Sequence, residues 1–236
     1  MRVDWRGAEH LPAQGGFIAA ANHLTNLDAL VLAHFLYDHG AAPRFLAKHS
    51  LFQVPVFGWM LRKAGQIPVR RDTAAARESL DPARKALAEG LCLGIFPEGT
   101  FTRDPGLWPM TARPGVGRLA LSVRVPVIPI ALWGVQDVVA PYTVVPHLFP
   151  RRRVTVHAGP PVDLDDLYDR AEDPAAHREA TERIMDTLTA MLAELREEQP
   201  PARRYDTRRD GDPRAERRAA RAARKSGRRT GRRSAA

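Results

Sequence analysis

Residues 17–28 run Phe17-Ile18-Ala19-Ala20-Ala21-Asn22-His23-Leu24-Thr25-Asn26-Leu27-Asp28. Five apolar residues after Gly15 and Gly16 predict a short buried strand ending at Asn22. Leu27, Leu30, Val31 and Phe35 then recur at helical spacing, so a helix is expected over 27–37, stopping at Gly40. A strand that hands the chain to a helix through a polar loop is the repeating unit of α/β sheets. The alternation continues. Strands are predicted over 43–47, 66–69, 91–96, 125–133 and 154–158. Helices are predicted beyond Pro55 to residue 63 and over 73–89, 114–123 and 173–198, the last with Pro174 in its first turn. The expected fold is α/β, a mostly parallel sheet flanked by helices.

Charge divides the chain unevenly. Residues 1–199 hold 22 Lys+Arg against 23 Asp+Glu, whereas 200–236 hold 14 against 4, so the formal net charge of +9 belongs to the C-terminal stretch. Past Pro200 the large apolar residues give way to Arg, Ala, Gly and Ser, a composition that supports no core. The expected organisation is therefore one domain, 1–199, and a disordered Arg-rich tail, 200–236, in which 213–225 is able to turn helical on an anionic surface. A near-neutral body argues against nucleic acid as the partner. One cysteine, Cys92, permits no internal disulfide and no cysteine-built metal site. The first sixteen residues carry Arg2, Asp4, Arg6 and Glu9 and do not resemble a signal peptide. The uncharged apolar stretch 51–61 is far short of the roughly 20 residues that span a bilayer.

The loop of the opening stretch holds His23 and Asp28. A histidine that takes a proton from an alcohol needs a partner that fixes its tautomer and stabilises the imidazolium, and a carboxylate does both. With Asn26 as helix cap, Asp28 falls in the first turn and His23 in the approach, so the two are expected to meet. Such pairs are common in a chain with eight histidines. What singles this one out is its place at a strand exit, where α/β folds put their active sites. Phe96-Pro97-Glu98-Gly99-Thr100 also begins at a strand end and presents a carboxylate beside a glycine. Arg70 and Arg71 close the strand over 66–69, where a guanidinium suits a phosphate, and Arg113 and Arg118 flank Gly115 and Gly117 at a helix start. No P-loop, zinc-ligand spacing or G-x-S-x-G elbow occurs.

Four blocks in order resemble the glycerolipid acyltransferases typified by 1-acyl-glycerol-3-phosphate acyltransferase: Asn22-His23 with Asp28, Gly65-Gln66-Ile67-Pro68-Val69-Arg70-Arg71, Phe96-Pro97-Glu98-Gly99-Thr100, and Val125-Pro126-Val127-Ile128-Pro129. The resemblance spans residues 10–160 and implies the αβ domain of glycerol-3-phosphate acyltransferases. It also implies transfer of an acyl group from acyl-CoA or acyl-carrier protein to a lysophospholipid hydroxyl, with no cofactor. His23 would be the general base and Asp28 its orienting partner. Asn22, Arg71, Glu98, Gly99 and Thr100 would lie around the acceptor, and the fourth block would shape the site or acyl pocket. One departure stands out. Relatives continue the third block with Arg or Ser, and this chain has Phe101; Arg103 or Arg113 would then supply the phosphate-holding cation, or the acceptor is another lysophospholipid, a glycolipid or an aminolipid. A non-catalytic lipid-binding protein of the same fold is the rival from another class.

The apolar and aromatic stretch 51–61, flanked by Lys48, Arg62 and Lys63, has the ingredients of an interfacial segment and equally those of core. With the basic tail it leads to the expectation of a cytoplasmic protein held peripherally at the inner face of an anionic membrane.

Overall fold

The computed structural model describes residues 1–69, 80–147 and 149–215. Seven strands, β1 (Arg2–Arg6), β2 (Phe17–Ala21), β3 (Arg44–Lys48), β4 (Ile67–Val69), β5 (Cys92–Ile95), β6 (Val127–Trp133) and β7 (Arg153–Ala158), form one sheet in the order β1-β7-β6-β2-β5-β3-β4. All neighbours are parallel except β6 and β7. The helices are α1 (Asp28–Asp38), α2 (Phe57–Lys63), α3 (Asp81–Ala88), α4 (Gly115–Val123), α5 (Val135–Val138), α6 (Pro174–Arg196) and α7 (Thr207–Asp210).

The first quoted stretch explains why β2 is central. Successive strand residues point to opposite faces, and here both faces are apolar. Ile18 and Ala20 enter the core beneath α3, α4 and α6. Phe17, Ala19 and Ala21 enter the other, where α1 contributes Val31, Leu32, Phe35 and Leu36. Full burial of side chains of this size stabilises the fold by about 1.5–3 kcal/mol each. Asp173 caps α6 by accepting from the Ala175 N–H, with Pro174 at its first position, as the sequence predicts.

Because β2 and β5 are parallel neighbours, the loops after them leave the same edge of the sheet. His23 and Glu98 are brought together by that topology, seventy-five residues apart in the chain.

Several expectations shift. Strand β1, on the edge beside β7, was not read from the sequence: its apolar side is only Val3, which is exposed, and Trp5, which packs at the margin of the α1 core. The helix expected over 73–89 is described only as α3, and its first part, with Arg70 and Arg71, lies outside the described residues. The fourth block leads into β6, where Val127, Ile128 and Pro129 pair with Ile18, Ala19 and Ala20 along the middle of β2. Val127 and Ile128 are core there, so these residues of the block seat the sheet.

The packed body also runs past residue 200. The Thr111 N–H donates to the Tyr205 carbonyl, Arg204 pairs with Glu182 and Asp186 on α6, and Arg103 pairs with Asp212. Composition set the boundary early because this segment docks by charge rather than by apolar burial. Helical backbone starts at 213–215, and the remainder of the stretch expected to turn helical lies outside the described residues.

In the 51–61 stretch Phe52 and Gly58 are buried, while Val56, Phe57, Trp59 and Met60 are exposed. Among the described residues no helix is long and apolar enough to cross a membrane.

Candidate active site

The loop after β2 is held by its own backbone. Asp28 is fully buried, and its carboxylate accepts from the Leu24 N–H, the Thr25 N–H (2.8 Å) and the Thr25 hydroxyl (2.9 Å). Its Oδ2 also meets His23 Nδ1 at 2.9 Å. The expected cap is different in detail. Leu27 stands at the N-cap of α1 without a side-chain cap bond, and the Asn26 amide instead donates to the Thr143 carbonyl. The Thr25 hydroxyl receives the Leu27 N–H, while the Asp28 carboxylate holds the N–H groups of Leu24 and Thr25 ahead of the helix.

With Nδ1–H donated to Asp28, the other ring nitrogen, Nε2, is left as the acceptor. The ring is walled by two phenylalanines. Phe96 stacks on its face at 4.0 Å between centroids, and Phe101 meets it edge-on at 4.4 Å. Behind Phe96, Phe45 stacks at 6.1 Å. Phe45 lies flat over β5 because residue 94 is glycine: a Cβ there would come within 2.4 Å of its ring. The unusual Phe101 thus takes part in the site as a wall, where a cation was expected.

Glu98 is buried under this arrangement. One carboxyl oxygen accepts from the His23 N–H and the other from the Met110 N–H, each at 3.0 Å. Burial pushes its pKa up to about 8; the two backbone N–H groups pull the other way, and the nearby Asp28 charge adds to the rise. Glu98 therefore ties the two loops together from below. The Thr102 N–H completes the tie by donating to the His23 carbonyl at 2.7 Å. Gly99, at φ 69°, makes the turn that swings the chain from Glu98 to Thr100, a conformation glycine adopts without strain.

Asn22, expected beside the acceptor, is committed elsewhere. Its amide donates to the Leu132 carbonyl at 3.0 Å and accepts from the Leu132 N–H at 2.7 Å, locking the end of β2 to β6. Arg103 is nine-tenths buried and spreads over this side of the site. It donates to the Phe101 carbonyl (2.9 Å), the Thr100 hydroxyl (3.1 Å) and the Tyr142 hydroxyl (3.2 Å). Tyr142 in turn donates to the Thr102 carbonyl at 2.7 Å. Arg113 is exposed in the loop ahead of α4, and Arg71 lies outside the described residues.

Tyr142 and the Phe96–Phe101 pair around His23 went unread in the sequence; Tyr142 carries no local signal, whereas the two phenylalanines stand inside and beside a motif. Cys92 is no rival nucleophile, since burial pushes its thiol up to about 12. Among the described residues no group of three or more His, Cys, Asp or Glu is placed to hold a metal.

A groove of about 420 Å³ runs along α1, lined in part by Leu30, Ala33, Tyr37 and Phe45. Phe45, which lines it, stacks on Phe96, and Phe96 on the His23 ring.

Known proteins resemble this chain in sequence and in fold. A family model described as Acyltransferase matches residues 2–133. The chain is 30% identical over 135 residues to the 1-acyl-sn-glycerol-3-phosphate acyltransferase BAT2 of Brassica napus chloroplasts, covering 56% of this chain and 38% of that protein. It is 32% identical over 132 residues to the 1-acyl-sn-glycerol-3-phosphate acyltransferase of Borreliella burgdorferi, covering 56% and 51%. The chain thus spans about half the length, or less, of these relatives. The crystal structure of the 1-acyl-sn-glycerophosphate acyltransferase PlsC from Thermotoga maritima has the same fold, with a TM-score of 0.63 and 23% identity over 85% of this chain and 74% of that one.

Proposed function

Because this chain belongs to the acyltransferase family, we propose that it moves a fatty acyl group from a thioester donor to the free hydroxyl of a lysophospholipid. The proposed acceptor is 1-acyl-sn-glycerol-3-phosphate, the product phosphatidic acid, and the donor acyl-CoA or acyl-carrier protein. The observation that carries the reading is the 2.9 Å contact of His23 Nδ1 with the buried Asp28 carboxylate, which leaves Nε2 ready to accept a proton.

In the reaction, Nε2 takes the proton of the acceptor hydroxyl as its oxygen attacks the thioester carbonyl. Asp28 holds the ring in register and stabilises the imidazolium that forms. The tetrahedral intermediate collapses, the new ester bond remains, the carbon–sulfur bond breaks, and the proton passes from the imidazolium to the departing thiolate. No acyl-enzyme is needed, because positioning two substrates against one base supplies the rate. Arg103 holds the acceptor phosphate, the groove along α1 takes an acyl chain, and the exposed Val56, Phe57, Trp59 and Met60 with Lys48, Arg62 and Lys63 seat the protein on the inner, cytoplasmic face of an anionic membrane.

Phe101 favours one second reading, an acceptor without phosphate, since an apolar ring stands where relatives carry Arg or Ser. The test gives the purified protein radiolabelled acyl-CoA and a panel of lysophospholipids and monoacylglycerol, beside His23→Ala. The proposed activity appears with wild type on 1-acyl-sn-glycerol-3-phosphate and drops by about 10²–10⁴-fold in the variant. Equal turnover by His23→Ala sinks the mechanism; turnover of monoacylglycerol alone moves the acceptor to the second reading.

A further inference from the structure

The C-terminal segment ends on the cation assigned to the acceptor. Arg103 has three uncharged oxygen partners, and the one anion against it among the described residues is Asp212, whose carboxylate stands 3.4 Å from Nε. Two residues on, the Arg214 guanidinium lies 5.0 Å over the Tyr142 ring, on which Arg103 itself is stacked at 5.3 Å. Upstream, Arg204 is fastened to Glu182 and Asp186 of α6, and Tyr205 takes the Thr111 N–H. The segment is therefore anchored on the body before it reaches the site. An exposed acidic residue has no need of a nine-tenths buried arginine, whereas a buried guanidinium already held on its other edge is a ready seat for an anion.

We propose that residues 211–215 form a strap that places the Asp212 carboxylate where a phosphate monoester binds, so that the chain carries an internal competitor for its own acceptor site. This rests on the reading of Arg103 as the phosphate-holding cation. Anchoring on α6 makes the competition intramolecular, so Asp212 is present at a high effective concentration although each contact is weak. Asp212 is itself partly solvated, its side chain 41% exposed, and also receives the Arg214 N–H, which sets the strap to lift off as a unit. The strap continues directly into Arg217, Arg218, Arg221, Arg224 and Lys225, basic residues with which an anionic lipid surface competes for it.

The test titrates glycerol 3-phosphate and, separately, inorganic phosphate into the full-length chain by calorimetry, comparing wild type with Asp212→Ala, Asp212→Asn and Arg103→Gln. Both Asp212 variants are expected to bind glycerol 3-phosphate about 3- to 5-fold more tightly than wild type, the yield of removing one partly exposed ion pair. In turnover the same variants lower KM for a phosphate-bearing acceptor by that factor with kcat unchanged, and leave KM for monoacylglycerol unmoved. A gain with both titrants assigns the recognised group to the phosphate; a gain with glycerol 3-phosphate alone extends it to the glycerol. Equal affinity in wild type and Asp212→Ala, with binding lost in Arg103→Gln, overturns the strap and leaves the acceptor reading standing. No binding by Asp212→Ala overturns both.

Discussion

The two sides of the site are assembled in opposite ways. On the base side, His23, Thr25 and Asp28 come from six consecutive residues and satisfy one another through bonds of 2.9 Å or less. On the side proposed for the acceptor, Arg103, Tyr142 and the strap's Asp212 come from three distant parts of the chain, joined by longer contacts of 3.2–3.4 Å. A catalytic base is built locally and rigidly because its geometry must not change between substrates. An anion site that must open and fill is built from pieces that separate.

Breaking the base side should cost the most. Asp28→Asn removes the acceptor that fixes the Nδ1–H tautomer and puts an amide among four donors. A fall in kcat on the order of 10³-fold is expected, measured as initial rate at saturating substrates, with a near-unchanged KM. A loss seen only in KM would place Asp28 in binding.

Next in size is the strand tie that sequence placed beside the acceptor. Asn22→Ala strands the buried N–H and C=O of Leu132, so the denaturation free energy should drop by about 2–4 kcal/mol. The kcat of the remaining folded protein should stay at the wild-type value. Lost turnover without lost stability would return Asn22 to the chemistry.

The last effect, a pH slope and not a loss of activity, concerns the floor that joins both sides. Folded Glu98 holds its proton to about pH 8 against an ordinary 4.5. Its stabilising contribution is therefore complete below pH 4.5 and is lost as pH rises to 8, at up to about 1.4 kcal/mol per pH unit. Glu98→Gln carries no such proton, so urea midpoints followed from pH 5 to 8 should flatten relative to wild type. A parallel slope in the variant would mean that another group titrates.

How much was legible follows the same division. The alternation of apolar runs predicts nearly every strand, and β2 matches residue for residue, because two-sided burial forces an uninterrupted apolar run. The His23–Asp28 contact was legible because five residues and a strand-to-helix turn leave the pair little room to part. Asn22 was misplaced because its amide bonds a backbone 110 residues away, which no local pattern reports. The edge strand β1 was missed because its apolar side is only two residues, Val3 and Trp5, set between charges; the docked segment at 200–215 was missed because it attaches by ion pairs, which hydrophobic periodicity does not register. Glu98 was expected beside the acceptor, and its two oxygens are taken up by the backbone N–H groups of His23 and Met110, which no local pattern reports.

The two phenyl rings around His23 bear on a competitor that any acyl-transferring base faces: water. A base that strips a proton from a lipid hydroxyl can strip one from a water molecule as readily, and thioester hydrolysis would then waste the donor. Phe96 on the face and Phe101 at the edge leave the His23 side chain 16% exposed, with apolar carbon where a hydration shell would otherwise form. An alcohol that arrives on its own hydrocarbon chain crosses that barrier easily, and a lone water does not. In the proposed reaction, fidelity of transfer over hydrolysis would rest on two aromatic side chains that never touch a proton.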